Sequence, residues 1–384
     1  MIKYFKKKNY LFKILLWTIL ICINLKIKNE KLIYIEVESE INYIQKYYEL
    51  NNKGILKNLK KFTKSLYPKI SIVSALYNNE KYILRFIRSI QNQFFDDIEI
   101  IFVDDCSKDN SKNIITKIQK EDERIILIKQ KSKKGTLFSR NIGVLFSKGE
   151  YLMLPDSDDI LSEDIMNQCY NIAIKNDYEM IRFNMYSEKF FPFSLIPENL
   201  KNPIFQPELS NYLFYGYGYK KIVDGIISNK FIKTQTYLKS LNSINNYYLN
   251  QYMTYFEDGL INFALHRNAK SLYLLKKIGY YYIFNKNSVS RHMNINSYIK
   301  CFFIFIKYIY ESIKKNKYEK NIVSILISIY IQNMNVIKGL SNNLGYKDFC
   351  EKIINEIIND KYISTKSRNK LKKIRHLLKI NIKN

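Results

Sequence analysis

The sequence predicts an α/β fold built on a mostly parallel sheet, and three observations predict it. Short apolar runs alternate with stretches in which apolar residues recur at helical spacing. The connections between them are brief, as strand–helix–strand units require. The runs also end in polar residues, at Tyr77-Asn78, Asp104-Asp105 and Asp156-Ser157-Asp158-Asp159. In a parallel sheet those residues share the carboxyl edge, where ligands sit.

Taken in order, residues 1–25 join a lysine-rich start to an apolar run. Tyr10 to Leu25 is sixteen residues with Lys13 and Asn24 inside it, short of the roughly 20 that span a bilayer. A basic segment followed by an apolar one predicts a signal anchor, or a signal segment, that associates the chain with a membrane through residues 10–25. In a eukaryote that places it in the secretory pathway; without the anchor it is cytoplasmic or peripheral. Residues 26–68, polar and lysine-rich, read as a helical stem or linker. From Lys69 the alternation begins: strand Ile70–Leu76, a helix from Tyr82 to Gln91, strand Ile98–Val103, a helix from about Ser111, and strand Ile125–Ile128. A helix then runs through Asn141 to Phe146, and Tyr151–Leu154 is the next strand. A helix over Leu161–Ile174 and a strand at Met180–Phe183 follow.

Residues 184–224 lack clean periodicity and read as loops; Phe190, Phe191, Tyr215 and Tyr217 there fit a substrate cleft or the core. Another α/β passage opens at Gly225–Ile232. Tyr255–Leu265 has helical spacing with Glu257-Asp258 in its first turn, where the helix dipole favours carboxylates whatever their use. A last strand is expected at Tyr280–Phe284. From Cys301 onward the pattern is helical, with a basic end at Lys366 to Lys383. The chain thus divides into 1–25, a stem at 26–68, an α/β domain at 69–292 with a boundary near 160, and an accessory helical region at 293–384.

Composition removes several alternatives. The formal charge of +27 comes mostly from lysines scattered through an Ile-, Asn- and Tyr-rich chain, so no nucleic-acid partner is expected; attraction to anionic membranes or to phosphates needs no more charge than this. Cys22, Cys106, Cys169, Cys301 and Cys350 are widely spaced and contain no C-x-x-C, which argues against a disulfide framework or a zinc site. Neither G-x-G-x-x-G nor G-x-x-x-x-G-K-[ST] occurs, so a nucleotide is not held by a glycine loop.

The acidic stretch at Asp156–Asp159 carries the chemistry. Crowded carboxylates repel one another unless a cation or a hydrogen-bond donor neutralises them. Oxygen-only ligands select a hard divalent ion, Mg²⁺ or Mn²⁺, shared with phosphate oxygens.

These residues, taken together, resemble glycosyltransferase family 2, with its GT-A fold. The resemblance is carried by Ile72-Val73-Ser74-Ala75-Leu76-Tyr77-Asn78, Val103-Asp104-Asp105-Cys106-Ser107-Lys108-Asp109, Ser139-Arg140-Asn141-Ile142-Gly143, Gly149-Glu150-Tyr151-Leu152, Asp156-Ser157-Asp158-Asp159 and Glu257-Asp258. It covers about residues 69–292 and implies that this domain is catalytic, with nucleotide and acceptor halves. The chain departs from the family at Ala75-Leu76, which lack the usual proline and hydroxyl, and at Pro155.

The resemblance implies an inverting transfer of one sugar from a nucleotide-diphosphate sugar, most simply a UDP-sugar, to a hydroxyl of a glycan, lipid or glycoprotein, as in polysaccharide biosynthesis. Tyr77, Asn78, Asp104, Asp105, Arg140 and Asp156 would bind the nucleotide. Asp156 and Asp158 would form the metal-binding D-x-D, with Asp159 in support and His292 as a further metal or diphosphate contact. Asp258 would be the general base, with Glu257 its companion. A non-catalytic nucleotide-sugar or glycan-binding protein on the same fold is the alternative, and a basic nucleic-acid-binding protein a more distant one. A processive polymer synthase would need long membrane spans; 301–312 and 323–332 are too short or interrupted.

Overall fold

The structure is a computed structural model. It describes residues 68–187, 195–197, 200–210, 225–286, 288 and 294–314, the short strand Leu32–Tyr34, and isolated positions 355, 359, 368, 369 and 372. Residues 10–25, His292, Phe190, Phe191, Tyr215, Tyr217 and the basic end at 366–383, apart from three of those isolated positions, lie outside the described residues.

Among the described residues, ten strands form one sheet: β1 (Leu32–Tyr34), β2 (Ile70–Leu76), β3 (Ile98–Asp104), β4 (Ile125–Lys129), β5 (Tyr151–Met153), β6 (Ile160–Leu161), β7 (Met180–Ser187), β8 (Ile204–Phe205), β9 (Lys230–Lys233) and β10 (Ser271–Tyr282). The order is β1-β4-β3-β2-β5-β9-β7-β10-β6, with β8 also on β10. Pairing is parallel from β1 through β5 and between β7 and β10. Strand β9 runs antiparallel to both β5 and β7. Strands β2, β3, β5, β7 and β10 therefore deliver their carboxyl ends to one edge.

The helices are α1 (Ile83–Gln91), α2 (Ser111–Gln119), α3 (Thr136–Phe146), α4 (Ile165–Asn176), α5 (Thr234–Ser243), α6 (Asn246–Leu249), α7 (Glu257–Asn268) and α8 (Ile295–Lys314). Because side chains alternate along a strand, β3 sends Ile98, Ile100 and Phe102 into the core under α1, α2 and α4. Ile101 and Val103 enter the opposite core, beneath α3, α5, α7 and α8. Strands covered on both faces read as unbroken apolar runs, which is why β2 and β3 were visible in the sequence.

Three expectations need correction. The strand expected at Tyr280–Phe284 begins at Ser271 and ends at Tyr282; its Lys276-Lys277 interruption coincides with a register shift against β7, and a bulge hides the alternation that marks a strand. The helix expected from Leu161 starts at Ile165, because Ile160-Leu161 pairs with Tyr281-Tyr280 instead. Within the segment read as a helical stem, Leu32–Tyr34 is a strand on the sheet's edge.

Candidate active site

The loops after β2 and β3 are laced together before any ligand is considered. Asn78, at φ 53°, donates its N–H to Ser107 Oγ at 3.0 Å and accepts from the Lys108 N–H at 2.8 Å. Asparagine tolerates this left-handed backbone better than most residues. Across the same gap the Glu80 N–H donates to the Asp109 carboxylate and the Asn110 N–H to the Glu80 carboxylate, each at 2.9 Å. Asp104 is buried and accepts from the Ser107 N–H, with Lys112 Nζ at 3.9 Å. Its carboxylate holds the turn into α2. Asn78 and Asp104 thus act as fasteners, whereas Asp105 points the other way.

Asp105 accepts from the backbone N–H groups of Lys134 and Gly135, at 2.6 and 2.9 Å. Burial raises its pKa against those two hydrogen bonds, which lower it. Gly135 has φ +91°, and a Cβ there would meet Met253 O at 3.2 Å and the Tyr252 ring at 3.5 Å. The left-handed backbone favours glycine here, and a Cβ would press lightly on the Met253 carbonyl. The Tyr77 ring stays half-exposed beside this loop, with Lys133 Nζ 3.5 Å from its centroid.

Further along the edge, the acidic loop is pinned by hydroxyls. Ser74 Oγ donates to the Pro155 carbonyl at 2.8 Å, and Ser157 Oγ to the Ala75 carbonyl at 3.0 Å. Pro155 and Ala75, two departures from the family pattern, thus contribute through their carbonyls. Tyr280 Oη accepts from the Asp156 N–H at 3.0 Å and donates to Asp159 at 2.6 Å, while the Ile283 N–H reaches the other Asp159 oxygen at 2.7 Å. Asp159 is buried and committed to these contacts, so its support is mechanical. Asp158 accepts from Asn285 Nδ2 at 2.8 Å.

Arg140, on α3, has a side chain only 6% exposed and forms ion pairs with Asp156 and Asp258. Asp258 also accepts from the Ile227 N–H at 3.1 Å. Burial, opposed by Arg140 and reinforced by the charges of Asp258 and Asp158, pushes Asp156 up to about 6. Burial and the Asp258 charge push Glu257 up to about 7. Asp158 is raised too, chiefly by burial. The corner therefore carries more negative charge than Arg140 offsets.

Glu257 and Asp258 open α7 directly after Phe256, which sits at φ 63°. A non-glycine residue in that region costs roughly 1–2 kcal/mol and persists only where its surroundings hold it. The hold comes from α8: the Phe256 ring stacks on Phe305, with centroids 5.8 Å apart, and meets Phe302 and Tyr298 edge-on or tilted. The carboxylate pair is thus aimed by the C-terminal helix.

The structure brings Tyr77, Asp105, Arg140, Asp156, Asp158, Glu257 and Asp258 to one edge of the sheet. Sequence reasoning missed Lys133, Tyr252 and Asn285, and saw Tyr280 only as part of a strand. Tyr280 and Asn285 lie 121 and 127 residues from their partners, so no spacing could reveal them. Among the described residues, no group of three or more His, Cys, Asp or Glu forms a metal-holding cluster.

Residues 71–237 match the family model for glycosyl transferase family 2. This segment is a family 2 domain. Its similarity to glycosyltransferase GlyG of Streptococcus pneumoniae serotype 4 is 36% identity over 118 residues, 31% of this chain and 39% of that protein. The chain also aligns with the poly(ribitol-phosphate) beta-N-acetylglucosaminyltransferase TarP of Staphylococcus aureus. That match is 27% identical over 262 residues, covering 66% of this chain and 74% of TarP. The crystal structure of S. aureus TarS 1–349 in complex with UDP-GlcNAc superposes with a TM-score of 0.60 at 16% identity, covering 82% of this chain and 88% of that one. The fold is therefore GT-A-like, while the chain spans well under half the length of GlyG.

Proposed function

We propose that the chain transfers one sugar from a nucleotide-diphosphate sugar to a hydroxyl of a glycan, lipid or protein-linked acceptor. The observation that carries this reading is Arg140 held between Asp156 and Asp258 at the carboxyl edge of the sheet. It ties the acidic loop to the carboxylate pair of α7, at the sheet edge where the Asp105 loop also begins. A leaving diphosphate gathers negative charge as the sugar–oxygen bond breaks, and fixed positive charge where that happens lowers the barrier.

A divalent ion fits the donor set as a shared ligand, not as a closed protein cage. Asp159 is committed to Tyr280 and Ile283, and one Asp156 oxygen to Arg140. Asp158, with Asp156, would hold Mg²⁺ or Mn²⁺ together with diphosphate oxygens, the arrangement such ions adopt with one or two carboxylates. When bound, the ion supplies charge stabilisation to the leaving group. His292 would add to that set.

Asp258 takes the acceptor hydroxyl's proton. Its contacts with Arg140 and the Ile227 N–H hold it at the same edge as the acidic loop. Attack opposite the diphosphate inverts the anomeric centre in one displacement, with Glu257 beside Asp258 as its companion. Residues 10–25 would bring the chain to a membrane; among the described residues no helix is long and apolar enough to cross one.

The test is hydrolysis and binding across UDP-, GDP- and CMP-sugars with Mn²⁺, Mg²⁺ or EDTA, for wild type, Asp158→Ala and Asp258→Asn. We expect metal-dependent turnover of one donor, lost in both variants, with Asp258→Asn still binding nucleotide. A folded wild type that binds none of these nucleotides would sink the reading, and binding without turnover would leave a sugar-nucleotide-binding protein.

A further inference from the structure

We propose that Asn285 is a positioning residue that sets which cation the acidic loop accepts. By holding one oxygen of the Asp158 carboxylate, it makes the loop favour Mg²⁺ over Ca²⁺. The inference rests on the transferase reading, with its ion shared between protein and diphosphate, and deepens it.

The path of the loop is fixed from two sides. On the side of β2 and α1, Ser157 Oγ donates to the Ala75 carbonyl at 3.0 Å and accepts from Asn79 Nδ2 at 2.5 Å. Arg85 Nη2 donates to the Asp158 carbonyl at 3.1 Å. On the side of β10, the fully buried Tyr280 takes the Asp156 N–H and donates to Asp159, which the Ile283 N–H also reaches. None of these contacts touches the carboxylates of Asp156 or Asp158.

Two other donors do. Arg140 pairs with Asp156 Oδ1, and Asn285 Nδ2 donates to Asp158 Oδ2 at 2.8 Å. Asn285 follows the end of β10 and is only 5% exposed, while its neighbour Lys286 is exposed. A buried amide needs a partner, and here the partner is the carboxylate that would hold the ion. Being neutral, the amide orders that carboxylate and leaves its charge for a cation.

The consequence is a choice between ions. Ca²⁺ gathers about six to eight oxygens and takes carboxylates through one oxygen or both. Mg²⁺ is smaller, demands near-octahedral geometry and is held by one or two carboxylates with substrate phosphates. A donor already seated on one oxygen competes with any cation that would take both. With Arg140 on Asp156 and Asn285 on Asp158, the pair offers its oxygens singly. Removing the Asn285 amide lets Asp158 turn both oxygens to a larger ion.

The experiment begins with calorimetric titration of the full chain with UDP, CDP and GDP in Mg²⁺. The tightest of the three is then titrated in Mg²⁺, Ca²⁺ or EDTA. Wild type is compared with Asn285→Leu and Asn285→Ala, which both remove the amide, and with Asn285→Gln and Tyr280→Phe. Circular dichroism checks that each is folded. Wild type should bind the nucleotide more tightly in Mg²⁺ than in Ca²⁺. Asn285→Leu and Asn285→Ala should lower that ratio about tenfold, the smaller end of what losing an outer partner of a metal ligand costs in affinity. Asn285→Gln, which keeps an amide, should recover part of it. Tyr280→Phe should weaken binding in both ions by a similar factor, because it loosens the loop and frees no oxygen of Asp158. An unchanged ratio in the folded Leu or Ala variant overturns this assignment and leaves the transferase reading standing. So does a ratio that Tyr280→Phe lowers as far, or a wild type that binds equally in Mg²⁺, Ca²⁺ and EDTA. A folded wild type that binds none of the three nucleotides overturns both.

Discussion

Arg140 is the residue on which the site's electrostatics turn. Its side chain is nearly out of water, and Asp156 and Asp258 approach it from different loops. Removing one member of a buried ion pair costs about 3–5 kcal/mol. Asp156 is 38% exposed, which screens part of this, so Arg140→Met should cost about 2 kcal/mol. The loss should be larger at pH 8 than at pH 5, because the abandoned carboxylates can take up protons at the lower pH and cease to repel. Thermal melts at the two pH values check this; equal losses would mean that Arg140 contributes packing and not charge. Arg140 was legible in the sequence through Ser139-Arg140-Asn141. Its second partner was not, because Asp258 lies 118 residues further on.

At the scale of elements, small residues decide how closely helices approach the sheet. A Cβ on Gly143 would stand 2.3 Å from Val73 Cγ1 and 3.1 Å from Val103 Cγ2. Helix α3, which carries Arg140, therefore rests on β2 and β3 at a distance only glycine permits. Gly143→Ala should lift the helix and cost about 1–3 kcal/mol, the usual price of overpacking. Because the helix also aims Arg140, nucleotide affinity should fall with stability. Urea melts beside UDP titration separate the two, and an unaffected midpoint would show that Val73 simply turns away. The strand–helix order of this half was readable because each element's period is local. Strand β9 was not, since its antiparallel place between β5 and β7 follows from pairing with distant strands.

For the whole molecule, the crowded carboxylates predict how stability follows pH. Glu257 rises from 4.5 to about 7 and Asp156 from 3.8 to about 6. A carboxyl group with a raised folded-state pKa binds more protons folded than unfolded in that window, so stability falls as pH rises. Asp122, which hydrogen bonds from Arg124 hold at about 2 against the burial that raises it, acts in the opposite sense and only at lower pH. The melting temperature should therefore drop between pH 5 and pH 7.5, and Glu257→Gln should flatten the drop. Mg²⁺ or Mn²⁺ should raise it at pH 7.5 more than at pH 5, and EDTA should reverse that gain, because protonated carboxylates make poor ligands. A flat profile with no response to the ion would show that the carboxylates ionise without cost.

The sequence by itself determined the α/β class, the order of most elements and the polar residues at the strand ends. Each of these depends on spacing between near neighbours, which a chain displays whatever its final shape. Tertiary structure alone decided which donors each of the similar carboxylates meets. Asp104 and Asp159 differ little from Asp105 and Asp158 as residues. They part company because Ser107 and Lys112 meet the first, and Tyr280 and Ile283 the second. A buried carboxylate must find donors somewhere, and in Asp159's case they arrive from the far end of the domain, on a strand that only the folded sheet brings alongside.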